Sequence, residues 1–154
     1  MPARLAYVRF CMAEEARARA WKRAASEITR ALPDVPWNAG EPAAADEASR
    51  SPGGVVGWRL LSDNRRDVAR SGILFRDEDT ARAHVAALAR RWSVVQTHVF
   101  SFSVRGGAGW CARVGGDLEM MCARRYERRS AAESAAEVAH RLLQTLDDAI
   151  TSAG

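Results

Sequence analysis

The spacing of apolar and polar positions changes period several times along the chain. Arg4 to Cys11 alternates loosely and carries Tyr, Val and Phe, which predicts a strand. From Met12 to Leu32 the period becomes helical: Ala18, Trp21, Ala25, Ile28 and Leu32 share one face, and Arg19, Lys22, Arg23 and Arg30 lie elsewhere. Pro33 stops this helix. Val55 to Leu61 reads as a strand, Asp63-Asn64 as a turn, and Asp67 to Ser71 as the strand that pairs back. Asp77 or Asp79 starts a second helix, with Ala81, Val85, Leu88 and Trp92 toward the sheet. Ser93 to Val104 is the clearest strand, with Phe100, Phe102 and Val104 alternating with Ser101 and Ser103. Arg105 to Gly109 turns the chain. Trp110, Ala112 and Val114 then share one face, and Cys111 and Arg113 the other. Gly115-Gly116 suits a tight hairpin turn, and Leu118 to Ala123 is the next strand. Ser130 with Glu133 matches a capping box for a last helix striped by Ala135, Val138, Ala139, Leu142, Leu146 and Ile150.

Much of Gly57–Trp92 is written again from Gly109 to Leu143. Each stretch runs as Gly-Trp, a short strand, a turn, a second strand, an aromatic (Phe75 or Tyr126) and an Ala-rich helix. The second is one residue shorter at the turn. The expected fold class is α+β. It has a mainly antiparallel sheet from two β-hairpin-plus-helix repeats, helices packed on one face, and an extra N-terminal strand and helix. The expected segments are 1–32 (strand and helix), 33–54 (a Pro/Ala-rich linker), 55–92 (first repeat) and 93–154 (second repeat), the repeats sharing one core. The N-terminal strand can complete the first repeat, with the Met12–Leu32 helix and the linker inserted behind it.

Trp58-Arg59-Leu60, Asn64, Ser71, Phe75 and Ala81 together resemble the YegP-like domain, a small bacterial unit of unassigned function found in one or two copies per chain. The first copy departs at the turn, where Arg65 follows Asn64 in place of glycine. The second keeps Trp110, Tyr126 and the Ala131-Ala132 helix start, with Cys111 and Ala112 where the Arg and Leu would stand. The resemblance spans roughly 55–150. It implies a hairpin sheet covered by helices, and it brings no reaction or catalytic residues to carry over.

Composition bounds the rest. A chain of 154 residues, 47% hydrophobic and 27% charged, has the profile of a soluble globular domain with enough core to stand without disulfides or metal. Cys11, Cys111 and Cys122 are an odd number of thiols, and no signal sequence or membrane-length apolar run is read, so a cytoplasmic protein is expected. The net charge is +4, nearly all of its cations arginine. That reads as codon bias or as a surface for phosphate or carboxylate.

No catalytic constellation emerges. His84, His98 and His140 lack partners at metal-ligand spacing, so no metal or cofactor is expected. Cys111 and Cys122 on neighbouring strands read as two buried thiols, a redox pair being the alternative. Arg105 to Gly109 precedes a strand, unlike a phosphate loop, which opens a helix. Trp37 is expected to dock onto a neighbouring surface. Arg124, Arg125, Tyr126, Arg128 and Arg129 form the densest positive run, with the composition of a nucleic-acid or anion contact. Ser101, Ser103, Cys111 and Arg113 are candidates for a ligand on the polar sheet face. The expected function is a non-catalytic binding or assembly module that forms a homodimer. The alternatives are a nucleic-acid-binding protein using its arginines and a small enzyme on that sheet face.

Overall fold

The computed structural model describes residues 3–11, 16–32, 54–102, 105–115 and 117–153. The linker with Trp37 lies outside the described residues, as do Met12 to Glu15, Ser103, Val104 and Gly116. The described residues form six strands: β1 (Arg4–Phe10), β2 (Val55–Leu61), β3 (Asp67–Ser71), β4 (Gln96–Ser101), β5 (Ala108–Val114) and β6 (Asp117–Cys122). Among the described residues three helices accompany them: α1 (Ala16–Arg30), α2 (Glu78–Arg90) and α3 (Arg129–Ala153). The strands make one antiparallel sheet in the order β1-β2-β3-β6-β5-β4, which is an α+β fold.

The two halves of the sheet have the same local plan. β1 pairs with β2 and β2 with β3; β4 pairs with β5 and β5 with β6; β3 meets β6 at the centre. Each half ends on a single bridge that pins the following aromatic, Val56 to Phe75 and Ala108 to Tyr126. Each hairpin also carries a register shift at the same place, between Leu60 and Leu61 and between Ala112 and Arg113. The unpaired residues are Val68 on β3 and Glu119 on β6, and a bulge of this kind re-aims the side chain it carries.

The Gly-Trp pairs sort the helices onto the two faces. On β2, Trp58 reaches His84 of α2. Its neighbour Gly57 turns the other way, where an added Cβ would meet the Trp21 ring of α1 at 2.7 Å. Successive strand residues point to opposite faces. Hence α2 and α3, which touch each other, cover one face, and the extra helix α1 covers the other. Gly109 repeats the device: a Cβ there would meet Phe102 at 2.9 Å and Phe100 at 3.0 Å. The glycine makes room for an aromatic on one side of the strand, and the tryptophan fills the core on the other.

Trp58 and Trp110 are fully buried with Leu60, Met120, Val85 and Leu143. Burying an aliphatic or aromatic side chain of this kind is worth about 1.5–3 kcal/mol. The small residues of the helices, Ala81, Ala132, Ala136 and Ala139, let α2 and α3 approach the two indoles closely. Opposite them, Trp21 and Ile28 of α1 are buried on the α1 face, which also holds Cys111 and Met121.

Three sequence expectations shift. The long strand expected over Ser93–Val104 begins as a 3₁₀ turn, Trp92–Val94, and of its described residues Gln96–Ser101 are strand. The left-handed residue of the β2–β3 turn is Arg65, at φ 60°, rather than Asp63 or Asn64. The capping box at Ser130 is overturned: Ala131 and Ala132 N–H already bond to the Arg128 carbonyl, so α3 starts before Ser130. At the matching end of α2, Asp77 is the expected cap and accepts from Thr80 N–H at 2.7 Å.

Candidate functional site

The segment between β6 and α3 is built around Arg125. Its guanidinium lies 3.9 Å from the centroid of the Phe102 ring. One nitrogen donates to the Gly106 carbonyl at 3.1 Å and another to Glu27 of α1 at 3.0 Å. Arg125 therefore fastens three elements: the β6–α3 junction, the β4–β5 turn and α1. Arg129 donates to the Val99 carbonyl on β4 at 2.9 Å and stands near Glu133. Arg124 lies over the Tyr126 ring at 5.1 Å, and Tyr126 is held by its two backbone bonds to Ala108. Arg128 is exposed at the start of α3. So the five residues do come together; all four arginines are exposed, and Arg125 and Arg129 donate to other groups of the protein. Arg124 and Arg128 have no ion-pair partner among the described residues, whereas Arg125 and Arg129 do.

The β4–β5 loop is a hairpin turn. Arg105, Gly106 and Gly107 have φ of 66°, 69° and 87°, and Phe102 N–H bonds to the Gly107 carbonyl at 2.9 Å. Three left-handed residues in a row reverse the chain between two paired strands.

The sheet-face set is not brought together. Ser101 pairs with Ala108, so it shares the Trp110 face at the exposed edge of β4. Cys111 and Arg113 stand on the other face, opposite His98 and Gln96, and are buried. Ser103 lies outside the described residues. Burial pushes the Cys111 thiol up to about 12 despite the nearby Arg113 charge, which leaves no thiolate for chemistry at neutral pH. Cys122 is also raised, first by burial. The register places Met121 opposite Cys111, so Cys122 is one residue on and faces the other side of the sheet. Cys111 and Cys122 carry free thiols. The two strand cysteines are core residues and do not form a redox pair.

Of the histidines, His84 is the one sequence reading undervalued. Trp58 Nε1–H donates to its Nδ1 at 3.0 Å, and its Nε2 meets the Glu119 carboxylate. Phe75 packs against the ring at 4.8 Å. Both ring nitrogens are thereby engaged, which leaves neither to act as a base or a ligand. The partner Glu119 comes from the β6 bulge, and nothing local in the sequence signals that contact. His140 bonds to the Trp92 carbonyl at 2.6 Å. No group of three or more His, Cys, Asp or Glu among the described residues could hold a metal ion. No described helix is long and apolar enough to cross a membrane.

The chain is thus an antiparallel α+β protein whose second half carries a cation-rich junction beside an open strand. No protein-family model, curated protein or solved structure matches it.

Proposed function

We propose that the protein is a non-catalytic assembly module that pairs with a second copy of itself along β4. The observation that carries this is the chemistry of the two sheet edges, β1 and β4. The Phe102–Gly107 bond sets the phase of the β4 ladder. His98 and Gln96 then bond inward to Cys111 and Arg113, and the backbone groups of Thr97, Val99 and Ser101 point outward. An antiparallel pairing centred on Val99 matches Thr97 of one copy with Ser101 of the other, so the edge is self-complementary.

β4 carries no lysine, arginine, acidic residue or proline, the usual guards of an open edge. Just before it, Val94 is 58% exposed. β1 is guarded by exposed Arg4 and Arg9, and Arg82 covers Tyr7 at 4.7 Å, so two β1 edges would bring like charges together. Arg129 occupies one lone pair of the Val99 carbonyl, and a carbonyl has two. The non-catalytic reading also draws on the YegP-like resemblance. Of the residues that carry it, Trp58, Leu60, Ser71, Phe75 and Ala81 are buried and committed to packing, whereas Arg59 is half-buried and Asn64 exposed.

Thr97→Pro tests the interface. It removes an outward N–H and leaves the β4–β5 ladder intact. Light scattering at tens of micromolar should give a dimer for the parent chain and a monomer with unchanged circular dichroism for Thr97→Pro. A monomeric parent chain rejects the proposal.

A further inference from the structure

The whole net charge of the protein sits on one helix. α1 holds Arg17, Arg19, Lys22, Arg23 and Arg30 against a single acid, Glu27, a net +4 that equals the net +4 of the entire chain. The rest of the molecule is balanced. Within α1 the charge is ordered. Ala18, Trp21 and Ile28 point into the protein. Arg19, Arg23 and Arg30 recur at four- and seven-residue intervals on the opposite side, and all three are exposed. None of the three has an ion-pair partner among the described residues, whereas Arg59, Arg70, Arg76, Arg82, Arg125 and Arg129 all do.

At Glu27 the helix is tied to the junction described above. Glu27 lies between Arg23 and Arg30 in the helix and is tied to Arg125, and Arg125 is tied to Gly106 beside Arg105. The bond engages the one acid of α1 and ties the helix to two turns whose sequences also carry Arg124, Arg128 and Arg105. The exposed stripe of α1 is thus a cationic track, with further arginines in the β6–α3 and β4–β5 turns that Arg125 ties to the helix.

We infer that this track binds the phosphate backbone of a nucleic acid. Arg19 to Arg30 spans about 16 Å along the axis, long enough to follow successive phosphates of one strand. Guanidinium matches phosphate in bidentate fashion, and the track is almost wholly arginine. A membrane surface fits less well, because the exposed side of α1 has no large apolar residue to insert. Phosphate contacts carry no sequence information, so the expected binding is without sequence preference. It is separate from the β4 edge, and either can hold without the other.

The test is fluorescence anisotropy with a labelled single-stranded RNA and a labelled DNA duplex, each of about 20 nucleotides per strand, between about 50 and 200 mM salt. The triple variant Arg19→Ala, Arg23→Ala, Arg30→Ala should lose about tenfold or more in affinity at the low-salt end, and the slope of log K on log salt should shrink by about 2 to 3. Alanine is at least as good a helix former as arginine, and circular dichroism confirms that the variant is folded. A charge-matched control removes exposed Arg66, Arg90 and Arg141 and should retain the parent slope. Preference for the RNA over the duplex, or the reverse, identifies which polymer supplies the phosphates. Absence of salt-dependent binding to either probe overturns the inference. So does an equal loss in the control, which makes the effect one of net charge alone. Displacement of the probes by polyglutamate as readily as by unlabelled RNA overturns it in favour of an acidic protein partner.

Discussion

The Nε1–H of Trp58 donates to Nδ1 of His84 at 3.0 Å, and that bond decides the protonation pattern of the imidazole. With Nδ1 accepting, the ring hydrogen is on Nε2, where it is donated to Glu119. A chain of three side chains thus runs from the first half of the molecule, through α2, into β6. His84→Ala should leave a buried indole N–H unpaired and Glu119 without its donor. The expected cost is about 1–3 kcal/mol of folding stability in a urea titration. A loss well under that range would mean that the chain holds nothing together.

Trp110 occupies the same place on β5 and is equally buried, yet its Nε1 has no hydrogen-bond partner. Ala135 lies as far beyond Ala132 as His84 lies beyond Ala81, and its methyl has nothing to offer. The two tryptophans therefore make a matched pair. Trp58→Phe forfeits a hydrogen bond and ring volume; Trp110→Phe forfeits volume and removes an unsatisfied donor. Trp58→Phe should be the more destabilising by about 1 kcal/mol or more. Equal losses would show that the two N–H groups are energetically alike.

Arg65 is held at φ 60° in the β2–β3 turn, closed by bonds between Ser62 and the backbone of Arg65 and Arg66. The left-handed conformation costs a residue with a Cβ about 1–2 kcal/mol. Glycine adopts it freely, at the expense of a looser unfolded chain. Arg65→Gly should raise the thermal midpoint, with a gain of up to about 1 kcal/mol. An unchanged or lower midpoint would place the cost of the turn elsewhere.

The thiols should separate by reactivity and by pH. Cys11 is exposed, while Cys111 and Cys122 are buried with raised values. Alkylation of the native protein near pH 8 should modify Cys11 alone, and denaturation should open the other two. The folded Cys111 thiol stays protonated up to about 12. An unfolded thiol ionises above about 8.5, so Cys111 contributes a loss of stability as pH rises through that window. Cys111→Ala should flatten the alkaline limb; an unchanged limb would assign it to other groups.

His98 gives the opposite limb. Burial, and then the charge of Arg113, hold its imidazole below the usual range. Below about pH 6.5 the unfolded chain takes up a proton that the folded chain refuses, so stability falls as the solution is acidified until the folded value is reached. His98→Gln should remove that slope from denaturation midpoints measured between pH 5 and pH 7, taken as roughly the histidine window. Retention of the full slope would exclude His98 as its source.

The sequence by itself determined the elements, the class and the matching of the two halves. Gly-Trp, the short strands, the Asp77 cap and the Ala-rich helical stripes are local features, and local sterics and side-chain period write them directly into residue order. The run of arginines from 124 to 129 was equally legible as composition. The tertiary structure alone decided which partners those residues meet. Whether Arg125 and Arg129 face solvent or hold the hairpin depends on where Glu27, Gly106 and Val99 arrive, all distant in the chain. The same holds for Glu119, turned to His84 by a bulge, and for Cys111 and Cys122, parted onto opposite faces by a single step of register. The basic stripe of α1 could be drawn on a helical wheel. Its standing as the free outer side of the molecule came only once Trp21 settled against Gly57, because burial of one face is what defines the other.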